Sequence, residues 1–361
     1  MTINLDFIAL GDVHLTGLNS LFGDVGDDHI YYVLDQVVSF AKENGITEIV
    51  QLGDIFDHPS PTQEEIVRLT HYIIKSGLNW HILIGNHDQV TENTDNHSSV
   101  LIKFLSQHEL IPTLRIYDAP TEVRIGRIPF CMLPSPTIKT KPTKYPTINC
   151  SHVDVVGAVW DNGRKVTKGA NFDEDILDFN LNGHIHKHQV LGASKRTVLP
   201  GMPLMKTFGD DFNKGFVYCQ AKWSKTKLSV KHKFIPVNLP FKLHNLKVES
   251  LSDLTFVKEA DKTKNLFKLF VKTSSDFVLP PDFLANHPNI VNHHLFKNNA
   301  ELKAFQEEGL LIGDIETVDG ATIVTQNLES FLKSKQFNEK KVARAVGFVE
   351  DIISEIRQRE A

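Results

Sequence analysis

The chain has 361 residues, 41% of them hydrophobic and 23% charged, with a net charge of −5. That length suggests about two domains of ~100–200 residues each. The composition is globular, and no global basic field points to nucleic acid, so a nucleic-acid enzyme of this charge needs a local basic strip or metal ions. Cys131, Cys150 and Cys219 are too few and scattered for a disulfide framework or a zinc ribbon and read as buried hydrophobes in a reducing compartment. With no signal-peptide pattern at the N-terminus and no run of ~18 apolar residues, a soluble, cytoplasmic protein is expected.

In chain order, Leu5 to Leu10 reads as a strand delivering Gly11-Asp12-Val13-His14. Alternation puts Asp12 and His14 on one side, as two ligands of one metal require; alone, such a pattern is more often a strand-end turn. Asp28 is placed to cap a helix bearing Ile30, Val33, Leu34, Val37, Val38 and Ala41, ended by Gly45. Ile46 to Leu52 is the second strand, closing on Gly53-Asp54-Ile55-Phe56-Asp57. Thr62 and Glu65 make a capping box for a helix with an Ile66, Leu69, Ile73, Ile74 face, stopped by Gly77. Trp80 to Ile84 is the third strand and ends in Gly85-Asn86-His87-Asp88. By itself that tetrapeptide is equally a polar turn or a ligand site. Three strands joined by helices thus end in glycine followed by metal-type ligands. Right-handed crossovers bring such ends to one edge of a parallel sheet.

A helix is expected near 98–107. Strands around 115–117, 122–125 and 129–133 read as the second half of a layered α/β core. Residues 134–147, with Lys139, Lys141 and Lys144, are a loop: a solvated connection or a basic strip on a nucleic-acid backbone. A strand through 147–157 places His152 near its end. Phe172 to Phe179 reads as a short acidic surface helix or turn. In Gly183-His184-Ile185-His186-Lys187-His188, alternation puts His184 and His186 on the same side as a metal-ligand pair, leaving Lys187 and His188 for substrate. The run from Trp223 to Pro240 alternates like an antiparallel strand. From 241 the Gly-then-ligand strand ends stop. Residues 241–300 read as a small appended α/β domain with His293-His294 in a packing or surface role. Residues 301–361 read as a helical tail with a Val342, Val346, Val349, Ile352, Ile353, Ile356 stripe that folds back or docks a partner.

The carboxylate, imidazole and amide candidates, Asp12, His14, Asp54, Asn86, His152, His184 and His186, suit Mn²⁺, Fe or Zn and not a thiolate site. Two metals ~3.5–4 Å apart clamp a phosphoryl centre, and Asp54, ending the middle strand, is the natural bridge. His87 is then left to contact phosphate or protonate the leaving oxygen. Asp57 and Asp88 are expected to support the site, Asp88 by holding His87 or its loop.

These five stretches resemble the motifs of the calcineurin-like metallophosphoesterases in order and spacing over residues 1–220. The resemblance implies a layered core of two β-sheets flanked by helices. It gives one metal Asp12, His14, Asp54 and His186, the other Asp54, Asn86, His152 and His184, and makes His87 the phosphate-contacting acid. Within that superfamily the chain most resembles SbcD-type nuclease subunits of DNA double-strand-break repair and their phage recombination counterparts. His58-Pro59 follows Asp57 where the protein phosphatases continue differently. Pro200-Gly201-Met202-Pro203, Phe208-Gly209-Asp210 and Lys214-Gly215 follow the SbcD pattern, with Met202 and Thr207 standing where that family usually has Ser. Implied are two Mn²⁺ ions, exonuclease action on duplex DNA, endonuclease action on single strands and a DNA-orienting cap at 241–300. The tail would bind an SMC-like coiled-coil ATPase within a heterotetramer built on a homodimer. The alternative is a phosphodiesterase or phosphatase of the same fold acting on nucleotides or phosphoproteins.

Overall fold

In a computed structural model the chain is described at residues 2–90, 97–107, 110–138, 145–172, 178–211, 213–261, 264–273, 282–307 and 316–317. Lys139, Lys141, Lys144, Asp173 to Asp175 and the Val342–Ile356 stripe lie outside them.

The first half alternates strand and helix: β1 (Ile3–Leu10), a short α1 (Asn19–Phe22), α2 (Gly26–Glu43), β2 (Glu48–Gln51), α3 (Gln63–Ser76), β3 (Asn79–Leu83), α4 (Val100–Gln107) and β4 (Leu114–Tyr117). β1 through β4 pair parallel in sequence order, so their carboxyl ends share one edge. α3 begins with the Thr62–Glu65 capping box and stops at Gly77 in the left-handed conformation. Val25, not Asp28, is the N-cap of α2, and Asp28 lies in its first turn, where the acidic side chain still favours the helix dipole.

A second series follows: β5 (Thr121–Ile125), β6 (Ile128–Leu133), β7 (Ile148–Ser151), β8 (Phe179–Asn182), β9 (Gln189–Leu191) and β10 (Thr197–Leu199). It forms a sheet of order β5-β6-β7-β8-β10-β9. β11 (Gly215–Ser224) and β12 (Lys227–Pro236) return to the first sheet as antiparallel strands beside β1. β4 also joins the first sheet, not the second as its place in the chain suggested.

The two sheets face each other across one core that joins Phe7, Ala9, Val50, Leu52 and Leu83 to Phe130, Met132, Ile148, Phe179, Leu181 and Val198. Phe7 and Phe130 meet edge to face, centroids 5.4 Å apart. Phe40 of α2 packs on Phe216 and Tyr218, and Tyr72 of α3 on Trp80, so these helices cover the other face of the first sheet. All three cysteines are free and buried. Asp178 is not a surface acid: it is buried and accepts from Thr147 N (2.8 Å) and Asn149 Nδ2 (3.2 Å). Its negative charge is compatible with that burial because backbone and amide donors satisfy it.

Among the described residues, those up to 206 with 210–240 make one compact unit, and those from 241 to 317, with 207–209, make another. In the second unit β13 (Lys242–Val248), β14 (Asn265–Lys272), β15 (Ile290–Phe296) and β16 (Glu316–Thr317) form a parallel sheet. α5 (Leu254–Glu259), α6 (Asp282–Ala285) and α7 (Asn299–Glu307) accompany it. Leu246, Val257, Phe267, Leu269 and Phe283 are its core. His294 lies in β15, stacked on Phe270, as packing predicts.

Candidate metal centre

The Gly-then-ligand turns after β1, β2, β3 and β8 meet His152, which directly follows β7. Why glycine precedes the ligands is steric. A Cβ on Gly85 would lie 2.1 Å from Asp54 Oδ1 and 2.4 Å from Asp54 N. A Cβ on Gly53, where φ is +101°, would lie 2.2 Å from His152 Nδ1. Side-chain atoms cannot approach so closely. Gly85→Ala is therefore expected to destabilise the protein by about 1–3 kcal/mol, the usual range for overpacking. Urea denaturation measures it, and an unchanged midpoint would refute the contact.

Asp12, His14 and His186 present ligand atoms within 4.8 Å of one another, and so do Asp54, His152 and His184. In the first group His14 Nε2 lies 3.1 Å from His186 Nε2, while Asp12 Oδ2 lies 3.5 Å from His186 Nε2 and 4.0 Å from His14 Nε2. In the second, His152 Nε2 is 3.2 Å from Asp54 Oδ2 and 3.0 Å from Asn86 Oδ1. Asp54 Oδ2 also lies 3.8 Å from His14 Nε2, which places this carboxylate between the groups.

Extended alternation does not produce this arrangement. His14, Asp54 and His184 all have left-handed backbone, φ +50°, +53° and +72°, a region disfavoured for side-chain-bearing residues and concentrated at functional sites. His184 and His186, expected on the same side of an extended chain, turn into different groups, because the left-handed residue bends the backbone between β8 and β9.

Partners outside the groups fix the rings. His14 Nδ1 is 2.9 Å from Asp57 Oδ1. A carboxylate only accepts, so Nδ1 carries the proton and Nε2 turns its lone pair inward. Lys206 Nζ pairs with the same Asp57 oxygen and lies 3.4 Å from His14 Nδ1. His152 Nδ1 donates to Leu52 O (2.7 Å), which likewise presents Nε2. Asp88 is buried and accepts from Gly85 N (2.9 Å), Phe56 N (3.1 Å) and Ser98 Oγ (3.0 Å). It ties the turn after β3 to the turn after β2, and His87 is held instead through its own Nδ1, 2.9 Å from Asp57 O. His87 N donates to Asp54 Oδ1 (2.8 Å), while its side chain stays 44% exposed and so open to substrate.

Lys187 pairs with Asp211 at 3.4 Å on the surface. His188 does not face the groups: Nδ1 bonds Leu199 O (2.8 Å) and the ring stacks on Phe234 at 4.3 Å. An imidazole flanked by an aromatic ring and a carbonyl gains more from packing than from a polar opening. Lys206, Asp161, whose Oδ2 is 3.7 Å from His186 Nδ1, and Asp154, whose Oδ1 is 3.6 Å from His184 Nε2, escaped sequence reasoning. No local spacing marks them.

The electrostatics fit a cation. Asp12 Oδ2 is buried without a hydrogen-bond partner, a state that is costly for a carboxylate. Burial pushes the Asp12 carboxyl up to about 7. Burial, and then the neighbouring His14, pushes His186 down to about 3, and burial lowers His14 too. Two imidazoles that favour the neutral form therefore stand beside a buried carboxyl oxygen that lacks a hydrogen-bond partner. Around His152, burial opposes charge, but Asp54 and Asp12 outweigh it and push the imidazole up to about 10. The carboxylates call for positive charge at this point, and nitrogen and oxygen donors of this kind fit a divalent metal.

The profile of the calcineurin-like phosphoesterase family matches residues 5–188, which span both ligand groups. The chain belongs to the calcineurin-like phosphoesterase family. Divalent-metal binding and hydrolase chemistry come with that membership. The phosphoesterase is also 24% identical over 257 residues, 65% of its own chain and 72% of the other, to the "Exonuclease subunit 1" of Enterobacteria phage T4. Among the described residues, no helix is long and apolar enough to cross a membrane.

Proposed function

We propose that the chain is a two-metal, Mn²⁺-dependent DNA nuclease of the SbcD type. It would act in recombination or repair as exonuclease on duplex DNA and endonuclease on single strands. The observation that carries this is Asp54, placed between the two ligand groups with His87 pinned to it by a backbone hydrogen bond. Asp12, His14, Asp54 and His186 would hold one metal; Asp54, Asn86, His152 and His184 the other. Bound metals supply charge neutralisation at the phosphate and a water of lowered pKa. Asp57 keeps His14 in the tautomer that ligates, and Asp88 holds the turns in register. His87 delivers a proton to the departing sugar oxygen from Nε2, its Nδ1–H being given to Asp57 O.

The phage T4 protein is by name a subunit. A partner fits the same reading here: an SMC-like ATPase bound through residues 301–361, two copies of this chain, and residues 241–300 orienting DNA. Digestion of labelled duplex and single-stranded DNA with and without Mn²⁺ tests the reading. Metal-dependent cleavage of both is expected. Turnover of a small phosphodiester with DNA left intact would instead assign the chain to nucleotide or phosphoprotein substrates.

A further inference from the structure

Between β7 and β8 the chain makes an excursion, residues 155–170, that the chemistry above does not use. It is closed by bridges Val155–Ala170 and Val159–Lys165 and by Trp160 N to Arg164 O and Gly163 N to Trp160 O, both 2.9 Å. Gln189 clamps it, its side chain bonding both Val159 N and Val159 O at 2.8 Å. Val155, Ala158 and Val166 bury themselves with Leu199 and with Ile185, the residue between His184 and His186. The excursion is therefore a fixed structure anchored to the ligand turn, and its tip has a fixed position beside the metal groups.

The tip carries two kinds of group. Trp160 packs edge to face on His184, centroids 5.2 Å apart, and is only partly buried. Arg164, Lys165 and Lys168 are all exposed. Residues 160–168 are net +2, three cations against Asp161, in a chain of −5, and Asp161 is directed to His186 Nδ1. An aromatic platform with flanking cations is the combination that holds a nucleic-acid strand by base stacking and phosphate contact. It is also a local basic strip of the kind through which an acidic nucleic-acid enzyme can attract phosphate.

We infer that residues 158–168 are the contact for the strand being cut: Trp160 stacks a nucleobase next to the scissile phosphate, and Arg164, Lys165 and Lys168 take backbone phosphates. This rests on the nuclease reading and names the residues through which the site grips DNA. Stacking needs an unpaired base, so the contact serves a single-stranded or frayed end.

The test is the affinity of a fluorescein-labelled single strand for the full chain in EDTA, by anisotropy, across a NaCl series. Arg164→Ala/Lys165→Ala/Lys168→Ala is expected to reduce the slope of log K against log [NaCl] by about 2, at about 0.7 per phosphate contact on single strands. Trp160→Ala is expected to weaken binding about 5- to 150-fold with the slope kept, because stacking releases no counterion. Trp160→Phe should restore most of it. Should Trp160→Ala fail to fold, the triple variant alters only exposed side chains and still decides. An unchanged slope and affinity in the triple variant, with a parent that binds and digests DNA, overturns the inference alone. A parent that neither binds nor digests DNA removes the nuclease reading and this inference with it.

Discussion

His87→Gln is expected to slow DNA cleavage by about 10²- to 10⁴-fold, the range for losing a positioned proton donor, with Mn²⁺ uptake at the parent level. The reason is the division of labour at this residue. Its backbone N–H binds Asp54 Oδ1 at 2.8 Å, and its Nδ1 binds the Asp57 carbonyl at 2.9 Å. Both contacts fix the ring without placing a ring nitrogen in a ligand group with Asp54. Gln retains the backbone contact and a polar side chain but cannot transfer a proton. Single-turnover cleavage measures the loss, and titration calorimetry measures the metal. A p-nitrophenyl diester, whose leaving group departs without protonation, should recover most of the rate. Equal slowing on both substrates argues against the acid role, and lost metal uptake would make His87 a ligand.

Asp54→Asn is expected to abolish both activity and metal stabilisation. In the parent, Mn²⁺ at about 100 times its Kd should stabilise the fold by about 2.7 kcal/mol, a rise in melting temperature of about 5–10 °C at 2–4 °C per kcal/mol. Asp54 Oδ2 lies within 3.2 Å of His152 Nε2 and 3.8 Å of His14 Nε2 and is almost wholly buried. Burial alone would raise its carboxyl, yet the facing imidazoles hold it well below the usual carboxylate range. An amide there offers one neutral oxygen where two cations would share a charged carboxylate. Scanning with and without Mn²⁺ should show the rise in the parent and little or none in Asp54→Asn. A variant keeping the full rise shows that Asp54 is not shared.

Much of the fold was legible because its signals are local. The Thr62–Glu65 box, the Gly77 stop and the run of β1 to β3 rest on patterns within one helix turn or one strand. The assignment of β4 was not, because a four-residue strand pairs with whichever edge is nearest in space. Asp178 misled for a related reason. Acidity in sequence reads as exposure, and only the fold shows Thr147 N and Asn149 Nδ2 turned toward the carboxylate. His188 shared the spacing of two ligand-type histidines, and its stacking on Phe234, 46 residues on, has no trace in that spacing.

By itself the sequence determined which residues are candidate donors and that they sit at or just past strand ends: Asp12, His14, Asp54, Asn86, His152, His184 and His186. Parallel crossovers then oblige those ends to converge. Local periodicity does not encode how the donors gather, with Asp12, His14 and His186 in one group that could hold an ion and Asp54, His152 and His184 in another. Left-handed backbone at His14, Asp54 and His184 is held by contacts from other turns, such as Val13 N and His14 N to Asp54 O, and no two-residue periodicity can encode it. The same holds for the Asp57–Lys206 pair behind His14 and for Trp160 beside His184, which lie 149 and 24 residues apart in the chain. Local periodicity reports which face a side chain takes in its own element. Which group it then meets is fixed by the packing of the whole unit.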